Sequence, residues 1–319
     1  MKVAQPAFAG IATFLRAPQR PLHAMPAYVV AVAGVTLDGS GEPGGPADGP
    51  RGIREASVSF LAALLPSMRG TLVDVDTGRR VEFTAEPPLV DIGNLDPLGG
   101  PGTPGERLRG DAAELARRAQ LPVFLGGTRA ISAPLLDGVA GATGQRLALL
   151  RVSSTLDLAE PPVTRPLAPE ASLRAALELQ VPVACLGVHG WQPVVDWTTA
   201  ERRGVRVVTL ADWRRAGFGG TTRAVAEELL GTAERLYVSI DIRVTDGAFV
   251  AGRNRVVSDG LLPAELLEVC ESLATFPLAA VDVVEVAPLL DGTRRAEHLA
   301  FRALLALLLP RLSGKETGG

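Results

Sequence analysis

Apolar residues in this chain fall into short unbroken runs, separated by longer stretches in which they recur every three or four positions. AYVVAVAGV (27–35) is the first such run, followed by PVFLG (122–126), RLALLRV (146–152) and VPVACLGV (181–188). VRVVTL (205–210), RLYVSIDI (235–242) and AAVDVVEV (279–286) complete the set. Runs of this length without polar alternation predict strands buried on both faces. Between them, DAAELARRAQ, ISAPLLDGVAG, ASLRAALELQ, TTRAVAEELLG and LPAELLEVCESLA have helical spacing, and RRAEHLAFRALLALLLPRL reads as a long final helix. Strands alternating with helices predict the α/β class, with a mostly parallel sheet covered on both sides. In such sheets ligands bind beyond the carboxyl ends of the strands, so the residues just after each run matter most. The Gly/Pro-rich stretches 38–52 and 92–106 read as loops. No linker is long enough to split the 319 residues, which predicts a single domain, 1–319, with an extension at 1–26 and a core at 27–312.

Composition narrows the function classes. Hydrophobic residues make up 47% of the chain and the formal net charge is only -3, with no Lys/Arg-rich run, so no nucleic-acid partner is expected. Cys185 and Cys270 each sit in an apolar run and read as small buried hydrophobes, with neither a disulfide framework nor a zinc cluster. The N-terminus lacks a signal-peptide pattern, and no apolar run reaches the ~20 residues of a membrane span. LLALLLP is too short and is cut by Pro310. These features predict a cytoplasmic protein with no membrane partner.

The strand ends carry an ordered series of motifs: VAGVTLDGSGEPGGPADGPRGIREAS (32–57), VDIGNLDP (90–97), FLGGTRA (124–130), RVSSTLD (151–157), SIDIRVTDGAFVAGRNRVVSDGL (239–261) and AVDVVEVAPLLD (280–291). In this order and spacing they resemble the ureohydrolase family of arginases, agmatinases and formimidoylglutamases. The resemblance implies a three-layer α/β/α fold with a mostly parallel sheet. It also implies two divalent metals, usually manganese, held by two His and four Asp and bridging the hydroxide that attacks a guanidinium carbon. Here the resemblance places Thr128 and Arg129 at the Asp and His of the first metal motif, and Ser153 and Thr155 at an Asp and a His of the second. It places Arg243 at the last Asp; Asp157 and Asp241 are kept. Guanidiniums cannot ligate metal, so no metal cofactor is expected.

Counting charges at those positions predicts that Arg129 and Arg243 pair with Asp157 and Asp241, filling the volume the metals left; the alternative is a local slip that leaves them as a solvated rim. Glu285, which in the family would hold the substrate guanidinium, is a candidate catalytic residue or a further acceptor for Arg129 or Arg243. Arg253 and Arg255 replace the family's substrate-entrance loop residues and add positive charge where a guanidino substrate would approach. His189, at the end of a predicted strand, is a candidate acid/base or a loop histidine. His23 and His298 read as structural or solvated, and Ser153, Ser154 and Thr155 are hydroxyls near the site. Three functions remain open. One is a pseudoenzyme acting as a binding or regulatory subunit, and a second is metal-independent chemistry on an anionic substrate at Arg129, Arg243, Arg253 and Arg255. The third is an amidine hydrolase with an unusual metal site. The resemblance and the apolar LLALLLP run predict a homo-oligomer, a trimer or hexamer, with an active family member as a further candidate partner.

Overall fold

Each apolar run named above lies in one sheet. In the computed structural model, residues 11–312 are described except 26, 40–44, 65–70, 74, 76, 77, 79, 83–87, 163, 165, 166 and 251–257. Eight strands form the sheet: β1 (Tyr28–Val35), β4 (Leu89–Leu95), β5 (Ala119–Leu125), β6 (Leu147–Val152), β7 (Val183–Val188), β8 (Arg206–Thr209), β9 (Arg235–Asp241) and β10 (Leu278–Val284). They run side by side in the order β4-β1-β5-β10-β9-β6-β7-β8, and every pairing is parallel. A separate antiparallel hairpin joins β2 (Thr71–Val73) to β3 (Arg80–Glu82).

The continuous apolar runs follow from what lies on each face. In β1, Val30 and Val32 belong to one core, while Ala31, Ala33 and Val35 belong to the other. Successive side chains point to opposite faces, so a strand with a core on both sides cannot alternate with polar residues. The first core is closed by α1 (Gly49–Leu64), α6 (Leu210–Ala216), α7 (Phe218–Leu230), α8 (Pro263–Leu273) and α9 (Arg295–Leu312). The second is closed by α2 (Pro104–Arg118), α3 (Ser132–Thr143), α4 (Ser172–Leu177) and α5 (Val194–Arg202). The result is the expected three-layer α/β/α arrangement.

Several elements differ from the sequence expectation. Leu89–Leu95, inside a stretch that reads partly as loop, is the edge strand β4. The stretch 38–52 contains the start of α1. Gly49, its first residue, lies so close to the sheet edge that a Cβ would come within 2.7 Å of the carbonyls of Gly126 and Val286. A glycine that reads as a loop residue is therefore required by close packing. Pro310 does not cut the last helix, which continues to Leu312. The proline sits in the final turn, where one lost backbone hydrogen bond costs little packing. Nor is the LLALLLP run exposed: Leu304, Leu307 and Leu308 are fully buried in the first core, and α9 packs on α1 and α8. That apolarity is consumed within the chain and no longer argues for an oligomer. No described helix is long and apolar enough to cross a membrane.

The segment before β1 also enters the core. Phe14 is fully buried, with its ring edge-on to Phe301 at 5.9 Å. Its backbone N–H donates to the Asp91 carboxylate at 2.8 Å. Asp91 on β4 is in turn gripped by Arg54 of α1 through Nε (2.8 Å) and Nη2 (2.9 Å), and Arg54 Nη1 donates to Asn94 at 2.6 Å. One buried ion pair thus ties the N-terminal segment, α1 and the edge strand together. Removing one partner of such a pair leaves an uncompensated buried charge, so Asp91→Ala should lower unfolding free energy by ~3–5 kcal/mol. Denaturant melts check this. A loss below about 1 kcal/mol, the median worth of an exposed pair, would show that the pair does not anchor this corner.

Candidate functional site

The sheet order brings distant parts of the chain together. β9 and β10 are inserted between β5 and β6, so the loops after β5, β6, β9 and β10 meet at one edge of the sheet. This reversal of strand order is where an open α/β sheet leaves a crevice. Each loop delivers charged side chains to it.

Arg129 begins a short 3-10 turn after β5. It forks onto Asp157 through Nε (2.8 Å) and Nη2 (3.0 Å), and Nη1 reaches Glu285 Oε1 at 3.1 Å. Arg243 forks onto Asp241 in the same way, Nε at 3.0 Å and Nη2 at 2.8 Å, and its Nη1 lies 3.2 Å from Glu285 Oε2. These are the two pairs that charge counting at the strand ends predicts, with Glu285 bridging both. A third guanidinium completes the group. Arg151, inside β6, contacts Asp157 through Nη2 and donates from Nη1 to the Leu156 carbonyl at 3.3 Å. Three guanidiniums face three carboxylates, and the formal charges cancel.

Hydroxyls fill the remaining acceptor positions. Thr155 donates to Asp157 at 2.9 Å, Ser153 to Asp241 at 3.5 Å and Thr128 to Glu285 at 3.4 Å. Backbone N–H groups add to this, from Arg243 to Asp241 (2.9 Å) and from Arg129 to Glu285 (2.8 Å). Asp157 and Glu285 both adopt left-handed backbone conformations, φ 52° and 67°. For residues with a Cβ this costs about 1–2 kcal/mol each. Glu285 is held there by its N–H donating to the Gly127 carbonyl at 2.9 Å, and Asp157 by its carbonyl accepting from Leu173 at 3.2 Å.

Burial sets the strength of these contacts. The Asp241 side chain is 1% exposed, and Arg243, the member nearest solvent, is 23% exposed. Burial alone would push the Asp157 carboxyl up, but Arg151 and Arg129 overcome it and hold the group at about 2. At Asp241 burial is likewise outweighed, by Arg243 first and then Arg129 and Arg151, and the carboxyl lies well below the usual range. Arg243 is raised despite burial, because Asp241 and Glu285 favour its charged form.

Beneath the cluster, in-register residues on five neighbouring strands form a row: Phe124, Asp282, Ser239, Arg151 and Cys185. Asp282 is fully buried, accepting from Tyr237 (2.9 Å) and Ser239 (2.6 Å), with Ser132 3.2 Å from Ser239. Burial pushes its carboxyl up to about 6, against the pull of those hydrogen bonds. Sequence reading missed Arg151 and Asp282. The available signal was a lone charge inside an otherwise apolar, doubly buried strand, since such a charge is almost never buried without a partner.

The other candidates lie elsewhere. His189 follows β7, with Nδ1 2.7 Å from the Gly187 carbonyl and its backbone N–H donating to Ser154, and its ring lines a cleft between β7 and β8. Arg253 and Arg255 lie outside the described residues. His298 on α9 is lowered by burial and by Arg294. Cys185 and Cys270 are buried and unbridged, as expected.

Residues 28–309 match the model of the arginase family. Formimidoylglutamase of Nocardia farcinica is 31% identical over 223 residues, 67% of this chain and 70% of that protein. A 107-residue stretch is 36% identical to proclavaminate amidinohydrolase of Streptomyces clavuligerus, and it spans only 34% of that protein's length. The solved structure of that enzyme nevertheless superimposes over 96% of this chain and 98% of its own, with a TM-score of 0.78 at 26% identity. Formimidoylglutamase from Bacillus subtilis shares the fold, with a TM-score of 0.81 at 20% identity over 98% of each chain.

Two outcomes follow from the cluster. Arg243→Ala leaves Asp241 buried with only Ser153 and a backbone N–H, and should destabilise the fold by on the order of 3 kcal/mol; Arg243→Lys, which keeps charge but loses the fork, should fall between. Thermal melts decide, and a loss within about 0.5 kcal/mol of wild type, the range of ordinary surface changes, would refute the pairing. The second outcome is pH-dependent. The depressed Asp157 contributes stability that is present above its unfolded value near 4 and lost as pH falls through about 2. The stability gap between wild type and Asp157→Asn should therefore shrink as melts are taken from pH 5 towards pH 2; a constant gap would contradict it.

Proposed function

The chain belongs to the arginase family, and from that premise we propose that it is a pseudoenzyme, a family member that acts as a binding or regulatory subunit in place of metal-dependent hydrolysis. One observation carries the reading: three guanidiniums occupy the carboxylates at the strand ends where the family resemblance locates a metal pair.

The donor set does not fit two manganese ions. A ligand must offer a lone pair, and a protonated guanidinium has none. Both oxygens of Asp157 and of Asp241 already accept charged hydrogen bonds from arginine. Among the described residues, no group of three or more His, Cys, Asp or Glu is arranged to hold a metal. Hard dications bind where several carboxylates supply excess negative charge. Here the local sum is zero before any ion arrives, and two dications would add four positive charges beside three fixed guanidiniums.

A second reading, chemistry on an anionic ligand, draws on the same arginines together with Arg253 and Arg255. The partial exposure of Arg243 favours it. Against it stands the pairing, because an incoming anion must first displace Glu285 or Asp241 from a guanidinium that already holds both. The ion-paired state supports a scaffold better than an open anion site.

Titration calorimetry with excess manganese on the full chain tests the proposal. The expected result is no stoichiometric binding, and no protection of the fold against heat by added metal. One or more manganese ions per chain, lost on Asp157→Asn or Asp241→Asn, would overturn it and restore the amidine hydrolase reading.

A further inference from the structure

Two arginines at the edge of the sheet where the strands begin break a pattern that the other buried arginines keep. The guanidiniums of Arg54, Arg129, Arg151 and Arg243 each lie on a carboxylate. Arg235, the first residue of β9, and Arg311, in the last turn of α9, are both half-buried, yet neither forms an ion pair with any described residue. Arg235 donates through Nη2 to the carbonyls of Gln120 (2.9 Å) and Leu278, and through Nη1 to Gln145 Oε1 at 3.3 Å. Arg311 donates through Nη1 to the carbonyls of Ala274 (2.6 Å) and Leu307 (3.2 Å), and through Nη2 to that of Phe276 at 2.7 Å. Carbonyl and amide oxygens solvate a guanidinium, but they leave its charge uncancelled.

The two charges also act on each other. Arg311 holds Phe276 and Arg235 holds Leu278, so both grip the short segment that leads into β10, at carbonyls separated by at most about 7 Å of chain. Burial lowers the pKa of both guanidiniums, and Arg235 lowers that of Arg311 further. Capping the last carbonyls of α8 accounts for Arg311 on its own. It does not account for a second guanidinium beside it. Glu234, next to Arg235 in sequence, turns instead to Arg146, whose Nε is 3.7 Å away and whose backbone N–H donates to it at 2.9 Å. Three N–H groups of each guanidinium are used by the protein, so two of the five on each have no acceptor among the described residues.

We propose that Arg235 and Arg311 together bind a phosphate group at this edge of the sheet, opposite the crevice. Two fixed positive charges call for a doubly charged partner, and a phosphate group carries about −1.5 to −2 near neutral pH. A guanidinium fork suits an oxyanion, which accepts from several donors on different oxygens. With hydrogen bonds of ~2.8 Å on opposite oxygens such an anion spans roughly 8 Å, the scale set by the 276–278 segment. Bound there, it supplies the counter-charge that carboxylates supply to the other buried arginines. The inference uses none of the residues of the ionic cluster and stands whether or not the pseudoenzyme reading holds.

Calorimetric titration of the full chain with inorganic phosphate, in chloride buffer of fixed ionic strength, tests it. One phosphate per chain should bind with a dissociation constant at or below about 1 mM, within reach of an anion of this size. Arg235→Gln and Arg311→Gln should each weaken binding at least about tenfold, the effect of losing one charge-assisted contact. Arg311→Gln also uncaps α8. If that variant does not fold, Arg235→Gln carries the test together with Arg235→Lys, which keeps the charge, loses the fork and should bind less tightly than wild type. Phosphate stabilises many proteins by exclusion from their surfaces, so it should raise the melting temperature of wild type more than that of Arg235→Gln. Arg243→Lys, altered only in the crevice, should bind phosphate as wild type does. Phenyl phosphate reads the source of the group. Binding as tight as that of inorganic phosphate assigns an organic ester, binding of inorganic phosphate alone assigns the free anion, and either supports the site. No binding up to about 10 mM, tenfold beyond the expected limit, would overturn the proposal, as would binding that survives undiminished in Arg235→Gln or is lost in Arg243→Lys.

Discussion

A guanidinium inside a protein cannot shed its proton, so every arginine carried beyond the strand ends has to be matched there by a carboxylate. That constraint organises the crevice. Arg129, Arg151 and Arg243 come from the loops and strand interiors of β5, β6 and β9, and their partners Asp157, Asp241 and Glu285 follow β6, end β9 and follow β10. No two neighbouring strands in this group can separate without breaking at least one charged contact. Glu285 is the common acceptor, touching Arg129 on one side and Arg243 on the other. Its left-handed backbone is part of the same arrangement, because the strained conformation aims the carboxylate between the two guanidiniums.

The protein contains a second ionic device of different type. Arg54 and Asp91 are one pair, nearly dry, with backbone N–H groups completing the carboxylate's shell. Both side chains of that pair are buried, and its role is to pin an edge strand and the N-terminal segment. The crevice cluster instead keeps a partly exposed face at Arg243 and rests on a buried row in which Asp282 is held by Tyr237 and Ser239. An isolated pair braces the periphery, while a balanced network fills the position where a sheet of this topology has its crevice.

Much of this was legible in residues and some of it was not. Seven of the eight strands of the sheet announce themselves as apolar runs because both faces are covered. β4 does not, since Asp91, Gly93 and Asn94 interrupt it, and those residues are there to receive Arg54. α1 is masked by the glycines and proline at its start, of which Gly49 is there for close approach to the sheet edge, which no local pattern reveals. In the crevice, Arg129 with Asp157 and Arg243 with Asp241 could be matched by counting charges at aligned strand ends. Arg151 escaped because it lies inside a strand, where a motif comparison looks only for ligands. The proximity of Arg235 to Arg311 was invisible for a different reason: Glu234 adjoins Arg235 in sequence, and only the fold turns it to Arg146 instead.

The strand order also constrains how the chain can be made. β5 and β6 are consecutive in sequence, yet β10 and β9 lie between them in the finished sheet. A nascent chain that has completed β8 therefore holds two groups of strands, β4-β1-β5 and β6-β7-β8, with the inner edges of β5 and β6 unpaired. They wait for segments that leave the ribosome only after β8, at Arg235–Asp241 and Leu278–Val284. Such gaps are slow to close, because loop-closure entropy must be overcome before non-local pairing rewards it. Meanwhile two bare strand edges are templates for the wrong neighbour. Arg129, Arg151 and Asp157 are present from the first half, but Arg243 and Glu285 arrive last, so the charge balance of the crevice is completed only when the central strands slide home. For this fold the final insertion is both the step that joins the two halves and the step most exposed to aggregation.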